Sequence, residues 1–82
     1  MLKRKTVAIK DVYVPVKRRQ ALDSNKVEAL AESILAKGQE APILVREDGT
    51  RFVLVEGLHR LEACRALGET TVAAFLVQAR QH

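Results

Sequence analysis

The stretch that most constrains this chain is an apolar strand that turns through a glycine directly into a helix. Phe52-Val53-Leu54-Val55 reads as a buried strand, Glu56-Gly57 as the turn, and Leu58 onward as a helix that closes at Gly68. Leu61, Cys64 and Leu67 fall on one side of that helix, with Glu62 and Glu69 off it. A glycine at the junction lets the backbone come close to a ligand. The first helical amides have no intrahelical acceptor, and the helix dipole favours negative charge beside them. His59 and Arg60 place two potential cations where that dipole would otherwise repel them. The combination points to a phosphate site. The plainer reading of the same residues is a strand-to-helix turn with a solvated His and Arg.

Eighty-two residues allow one small domain spanning 1–82, with a core expected over about 5–77. Few aromatics in a 48% hydrophobic chain imply a core of Val, Leu, Ile and Ala. With one Tyr and two Phe, no stacking platform for single-stranded nucleic acid is visible. The single cysteine, Cys64, excludes an internal disulfide, fits a reducing, cytoplasmic setting, and reads as a small core residue. No apolar run approaches the roughly 20 residues that span a bilayer, and no secretory signal follows the basic Met1–Lys5 segment. The two histidines and the cysteine are widely separated, so no transition-metal site is expected.

The net charge of +4 is unevenly distributed. Residues 1–19 carry seven Lys and Arg against Asp11 alone, whereas the remainder is slightly acidic. Lys3, Arg4 and Lys5 read as an amino-terminal arm, and Lys17-Arg18-Arg19 as a basic loop. Such patches attract polyanions, so non-specific, salt-sensitive contact with duplex DNA is one reading of them. A solubilising tail is the other.

A first strand is expected over about residues 5–9, with a second β-branched run at Val12-Tyr13-Val14 that Pro15 ends. Asp23, Ser24 and Asn25 all suit a helix N-cap, and Asn25 with Glu28 has capping-box spacing. Val27, Leu30, Ala31 and Ile34 then repeat at helical spacing up to a stop at Gly38. Pro42–Val45 opens a strand, Asp48-Gly49 marks a hairpin, and Thr71–Val77 forms a last, buried strand. The order implies a mixed α+β domain in which two helices cover a short mixed sheet. Its expected core comprises Val27, Leu30, Ile34, Leu44, Val53, Val55, Leu61, Leu67 and Val77.

These pieces, in this order, resemble the amino-terminal domain of ParB proteins within the ParB and sulfiredoxin superfamily. The resemblance rests on Lys17-Arg18-Arg19, Leu22-Asp23, Ala31-Glu32-Ser33-Ile34, Gly38, Pro42–Val45 and Leu54–Ala63, and covers residues 5–77. It implies a nucleotide triphosphate, CTP as in ParB or ATP as in sulfiredoxin, accompanied by Mg2+. Carried over by position, Gly57, Leu58, His59 and Arg60 form the phosphate turn, Arg19 or Arg18 is the loop arginine, and Ser33 lines the pocket.

Departures within the turn separate the branches of the superfamily. Sulfiredoxin resembles Gly-Cys-His-Arg here, and Leu58 stands where its nucleophile would be, which excludes sulfinic-acid reduction. ParB typically has Gly-Glu-Arg-Arg, against Gly57-Leu58-His59-Arg60. Free-serine kinases resemble Asp-Gly-His-His-Arg, so Glu56 and His59 are candidate catalytic residues of a small phosphotransferase or nucleotide hydrolase. An ion pair of Glu56 with Arg60 or a loop arginine is the competing reading. The expectation is a stand-alone ParB-like nucleotide-binding domain in a plasmid-partition or mobile-element setting, acting with a protein partner or as a homodimer. No reading helix for specific DNA recognition is present in the sequence.

Overall fold

The computed structural model describes residues 3–38 and 41–77. Strand β1 (Lys3–Ala8) leads through a 3-10 turn at Ile9–Asp11 into β2 (Val12–Tyr13). Helices α1 (Val16–Arg19) and α2 (Ser24–Lys37) follow, then the hairpin β3 (Ile43–Asp48) and β4 (Arg51–Glu56), helix α3 (Leu58–Ala66) and strand β5 (Thr71–Val77). The five strands form one sheet in the order β1-β5-β3-β4-β2. It is mixed: β1 with β5 and β3 with β4 run antiparallel, whereas β3 with β5 and β2 with β4 run parallel. The expected mixed α+β architecture is therefore present, with one strand and one short helix more than the sequence reading gave.

Each element has a local cause. At the hairpin, Gly49 takes φ 63° while Thr50 keeps a negative φ, the pattern of a II′ turn with glycine first. Arg51 and Asp48 bridge it at 3.1 Å. Helix α2 is capped by Asp23, whose carboxylate accepts from the Asn25 amide at 2.9 Å, and not by the Asn25–Glu28 box. Helix α3 ends in a Schellman arrangement, with Glu69 N–H donating to Cys64 C=O and Gly68 N–H to Arg65 C=O, both at 3.0 Å.

Strand alternation decides which apolar residues enter the core. Ile43, Val45, Leu54, Val72 and Ala74 point to the helices and pack with Leu58, Leu61, Cys64 and Ile34. Val27, Leu30 and Leu67 pack partly against this cluster, as expected. Leu44, Val53, Val55 and Val77 do not join it: their positions alternate to the opposite face of the sheet. The correction follows from the run Val53-Leu54-Val55, whose unbroken hydrophobicity carries no information about facing.

The basic amino terminus is also not an arm. Lys3, Arg4 and Lys5 pair with Leu76, Phe75 and Ala74 in the edge ladder of β1. Alternation sends Arg4 to one face and Lys3 and Lys5 to the other, where the Lys5 ammonium lies 5.6 Å from the Phe52 ring centroid. Lys17, Arg18 and Arg19 lie on a helix, not in a loop. No helix among the described residues is long and apolar enough to cross a membrane.

Truncating the fully buried Leu61 to Ala is expected to cost about 2–5 kcal/mol. Leu44→Ala, on the half-buried opposite face, should cost clearly less. Urea denaturation of both variants checks the assignment, and equal losses would refute it.

Candidate functional site

The site begins with the approach of one backbone to another. Gly57 caps α3 with φ 108° and ψ 31°. A Cβ there would lie 2.8 Å from Ile43 Cγ2 and 3.2 Å from Ile43 Cα. Left-handed geometry and packing on β3 thus both demand glycine, whatever approaches from outside. The glycine is thus a requirement of folding, where the sequence reading gave it a role in the approach of a ligand.

With glycine as N-cap, no side chain caps α3, and its first turn contains no acidic residue. The first intrahelical bond runs from Leu61 N–H to Gly57 C=O at 2.9 Å. The amides of Leu58, His59 and Arg60 precede that bond and have no intrahelical acceptor. Leu58 turns inward and is buried, while His59 and Arg60 are half-buried.

His59 fixes the neighbouring segment. Its Nε2 accepts a hydrogen bond from the Asp23 backbone amide at 3.0 Å, across 36 positions of sequence. The imidazole is therefore neutral at Nε2 in this arrangement, because an imidazolium has no acceptor. Asp23 is also the cap of α2, so one residue ties the start of α2 to the start of α3. Proton transfer through Nε2 would break that tie, and Nδ1 is left as the other ring nitrogen.

A depression of about 340 Å³ opens at the start of α3, lined by Arg18, Ala21, Leu30, Glu56, Gly57, Leu58, His59 and Arg60. Of the two candidate loop arginines, Arg18 is in it. Arg19 turns away, donating from Nε to Val14 C=O at 3.1 Å and lying 6.0 Å from the Tyr13 ring. Ser33 is exposed on α2 and is not among the lining residues, where α2 contributes Leu30 instead. Glu56 is exposed at the rim and forms no salt bridge among the described residues.

A larger groove of about 740 Å³ runs along the β2 edge past Tyr13, Arg19, Leu22, Arg51, Glu62 and Arg65. Its guanidiniums are already engaged. Arg51 bridges Asp48 and sits 4.4 Å from the Tyr13 ring, and Arg65 lies 3.4 Å from Glu62. The smaller depression combines Arg18 and Arg60, neither in a salt bridge among the described residues, with uncapped amides. That combination suits an anion.

Cysteine chemistry has no place in this site. Cys64 is fully buried, and burial raises its thiol pKa; the nearby Arg60 pulls it down and Glu69 adds to the rise. The groups that sequence reading missed are Ala21, Leu30 and the Asp23–His59 link. None has a local sequence signal, since tertiary packing alone brings them together.

Comparison with known proteins defines the class first. The fold is that of the ParB and sulfiredoxin group: sulfiredoxin from Arabidopsis thaliana superposes with a TM-score of 0.83 at 28% identity, covering 94% of this chain and 86% of that one. The chromosome-partitioning protein ParB from Caulobacter crescentus, solved with CTP-gamma-S, superposes at 0.81 with 25% identity, over 96% of this chain and 46% of that one. A mutant free serine kinase in complex with AMP shares the fold at a TM-score of 0.78 and 19% identity, over 90% of this chain and 30% of the kinase. The chain itself belongs to the ParB N-terminal domain family, which it matches over residues 3–82. A probable chromosome-partitioning protein ParB of Neisseria meningitidis is 36% identical over 73 residues, 87% of this chain. The chain spans 26% of that relative's length.

Gly57→Ala is expected to destabilise the protein by about 1–3 kcal/mol through strain and the contact with Ile43. Gly57→Val should cost more. Thermal melts without any ligand check this, and an unchanged midpoint would mean that the turn relaxes freely. Cys64 should react with a thiol reagent only as fast as the protein opens, so its labelling rate should rise with urea in step with unfolding.

Proposed function

We propose that this domain binds the triphosphate of a nucleotide in the depression at the start of α3, and that the nucleotide is CTP. One observation carries the reading: the uncapped amides of α3 share a depression with Arg18 and Arg60. The amides supply directed donors and the helix dipole, and two guanidiniums supply forked donors and full charges. CTP is favoured over ATP because the chain matches the ParB N-terminal domain family, of which the Caulobacter ParB was solved with a CTP analogue. Mg2+ would accompany the phosphates, and Glu56 is the one carboxylate among the lining residues. The setting is DNA partition, as part of a larger assembly, in line with the chromosome-partitioning relatives and with a plasmid or mobile element as one host of such a system.

The arrangement supports binding better than turnover. Glu56 stands alone as a carboxylate, and the Nε2 of His59 is engaged with Asp23. Calorimetric titration with CTP and ATP, with and without Mg2+, tests the proposal. Arg60→Ala and Arg18→Ala should each lose one charge-assisted contact, roughly 1.5–3 kcal/mol or ten-fold and more in affinity. Arg19→Ala should bind within about two-fold of the parent, because Arg19 faces the other groove. A folded Arg60→Ala with parental affinity, or a loss on Arg19→Ala alone, would overturn the assignment.

A further inference from the structure

Strand β1 ends the sheet and leaves one side of its backbone without a partner among the described residues. In the order β1-β5-β3-β4-β2 it pairs with β5 alone, from Lys3 to Ala8. The ladder decides which of its groups stay unpaired. One position beyond the Ala8–Thr71 pair, Ile9 N–H donates to Thr70 C=O at 2.9 Å. Antiparallel pairs alternate between bonded and non-bonded positions, so Lys3, Lys5 and Val7 turn their N–H and C=O groups to β5. Those of Arg4, Thr6 and Ala8 point outward, and no described residue pairs with them. The opposite edge strand, β2, is only two residues long, which makes β1 the long open edge.

This edge is also strongly cationic. Lys3, Arg4 and Lys5 are exposed, and β1 contains no carboxylate. None of the three forms a salt bridge among the described residues. Lys3 and Lys5 lie on one face of the sheet and Arg4 on the other, so an added strand would meet positive charge on both faces.

We propose that β1 takes an extended, acidic segment of a partner protein as a sixth strand. It runs antiparallel, with carboxylates beside Lys3, Arg4 and Lys5 and its backbone bonded to Arg4, Thr6 and Ala8. Backbone pairing supplies affinity, and charge selects the segment. A second copy of this chain is a poor occupant. Two β1 strands joined along this edge would gather the cations of both into one ladder without a carboxylate, which opposes their pairing. Duplex DNA is equally anionic, but its backbone supplies acceptors only and leaves the outward C=O groups of β1 unpaired. The edge is separate from the nucleotide depression, to which β1 contributes no residue.

The test is amide hydrogen exchange, read by NMR on the intact protein with a synthetic peptide of about eight residues built from glutamate, threonine and valine. Two further peptides serve as controls. One carries lysine in place of each glutamate, and the other keeps the glutamates but has alternate backbone nitrogens methylated on the side that faces β1. At saturation the glutamate peptide should slow exchange at Thr6 and Ala8 at least about ten-fold, whereas Lys5 and Val7, already bonded to β5, should change little. The lysine peptide should bind at least about ten-fold more weakly, and the methylated one should give no protection. In the Lys3→Glu/Lys5→Glu variant, whose changes lie on exposed side chains, the preference between the charged peptides should invert while circular dichroism stays parental. Equal affinity for the two charged peptides, equal protection by the methylated peptide, or no binding at millimolar concentration would overturn the proposal. So would slow exchange of Thr6 and Ala8 in the free protein, dimerisation that protects them, or their protection by a duplex oligonucleotide.

Discussion

The contact of the Gly57 backbone with Ile43 sets the geometry on which the rest of this structure depends. Ile43 opens β3 and is almost fully buried, so it cannot yield to a side chain from the turn. Only a residue without Cβ lets β4 turn straight into α3 at that depth. Once α3 starts there, its period of 3.6 sends Leu58 and Leu61 into the core and leaves His59 and Arg60 at the rim. Core packing and the position of the cationic pair therefore have one cause.

A second tie turns this helix start into a site. Through Asp23, His59 holds the beginning of α2, and the α1–α2 connection holds Arg18 over the same depression. Each arginine has a different support. Arg60 depends on the glycine turn, whereas Arg18 is held in α1, its N–H donating to Pro15 C=O at 2.9 Å. The starts of α2 and α3 are thus linked through one ring nitrogen.

Elements with a repeating local signal were legible in the sequence. The i, i+3, i+4 pattern of α2, the Asp48-Gly49 hairpin and the bounds of β5 all reappear in the structure. What was hidden depends on distant partners. Strand β2 is two residues long and exists because β4 lies parallel to it. The facing of Leu44, Val53, Val55 and Val77 was lost in apolar runs without alternation. The candidate site shows the same division: the glycine turn into α3 was readable from Gly57-Leu58-His59-Arg60, but which of Arg18 and Arg19 lines the depression was not. Adjacent residues on a helix diverge by about 100°, and only packing decides which of them faces the depression.

The identity of residue 58 joins the chemistry to the packing. Where the sulfiredoxin resemblance calls for a nucleophilic cysteine, Leu58 is buried in the core cluster and walls both the depression and the groove beside it. A thiolate at that depth would need solvation that the cluster does not offer. Cys64, six residues further along α3, has its thiol pKa raised by burial. The turn keeps its electrostatic part, amides and arginines, without a nucleophile beside it. A site built that way offers directed donors and positive charge to a polyanion and no protein nucleophile for covalent attack.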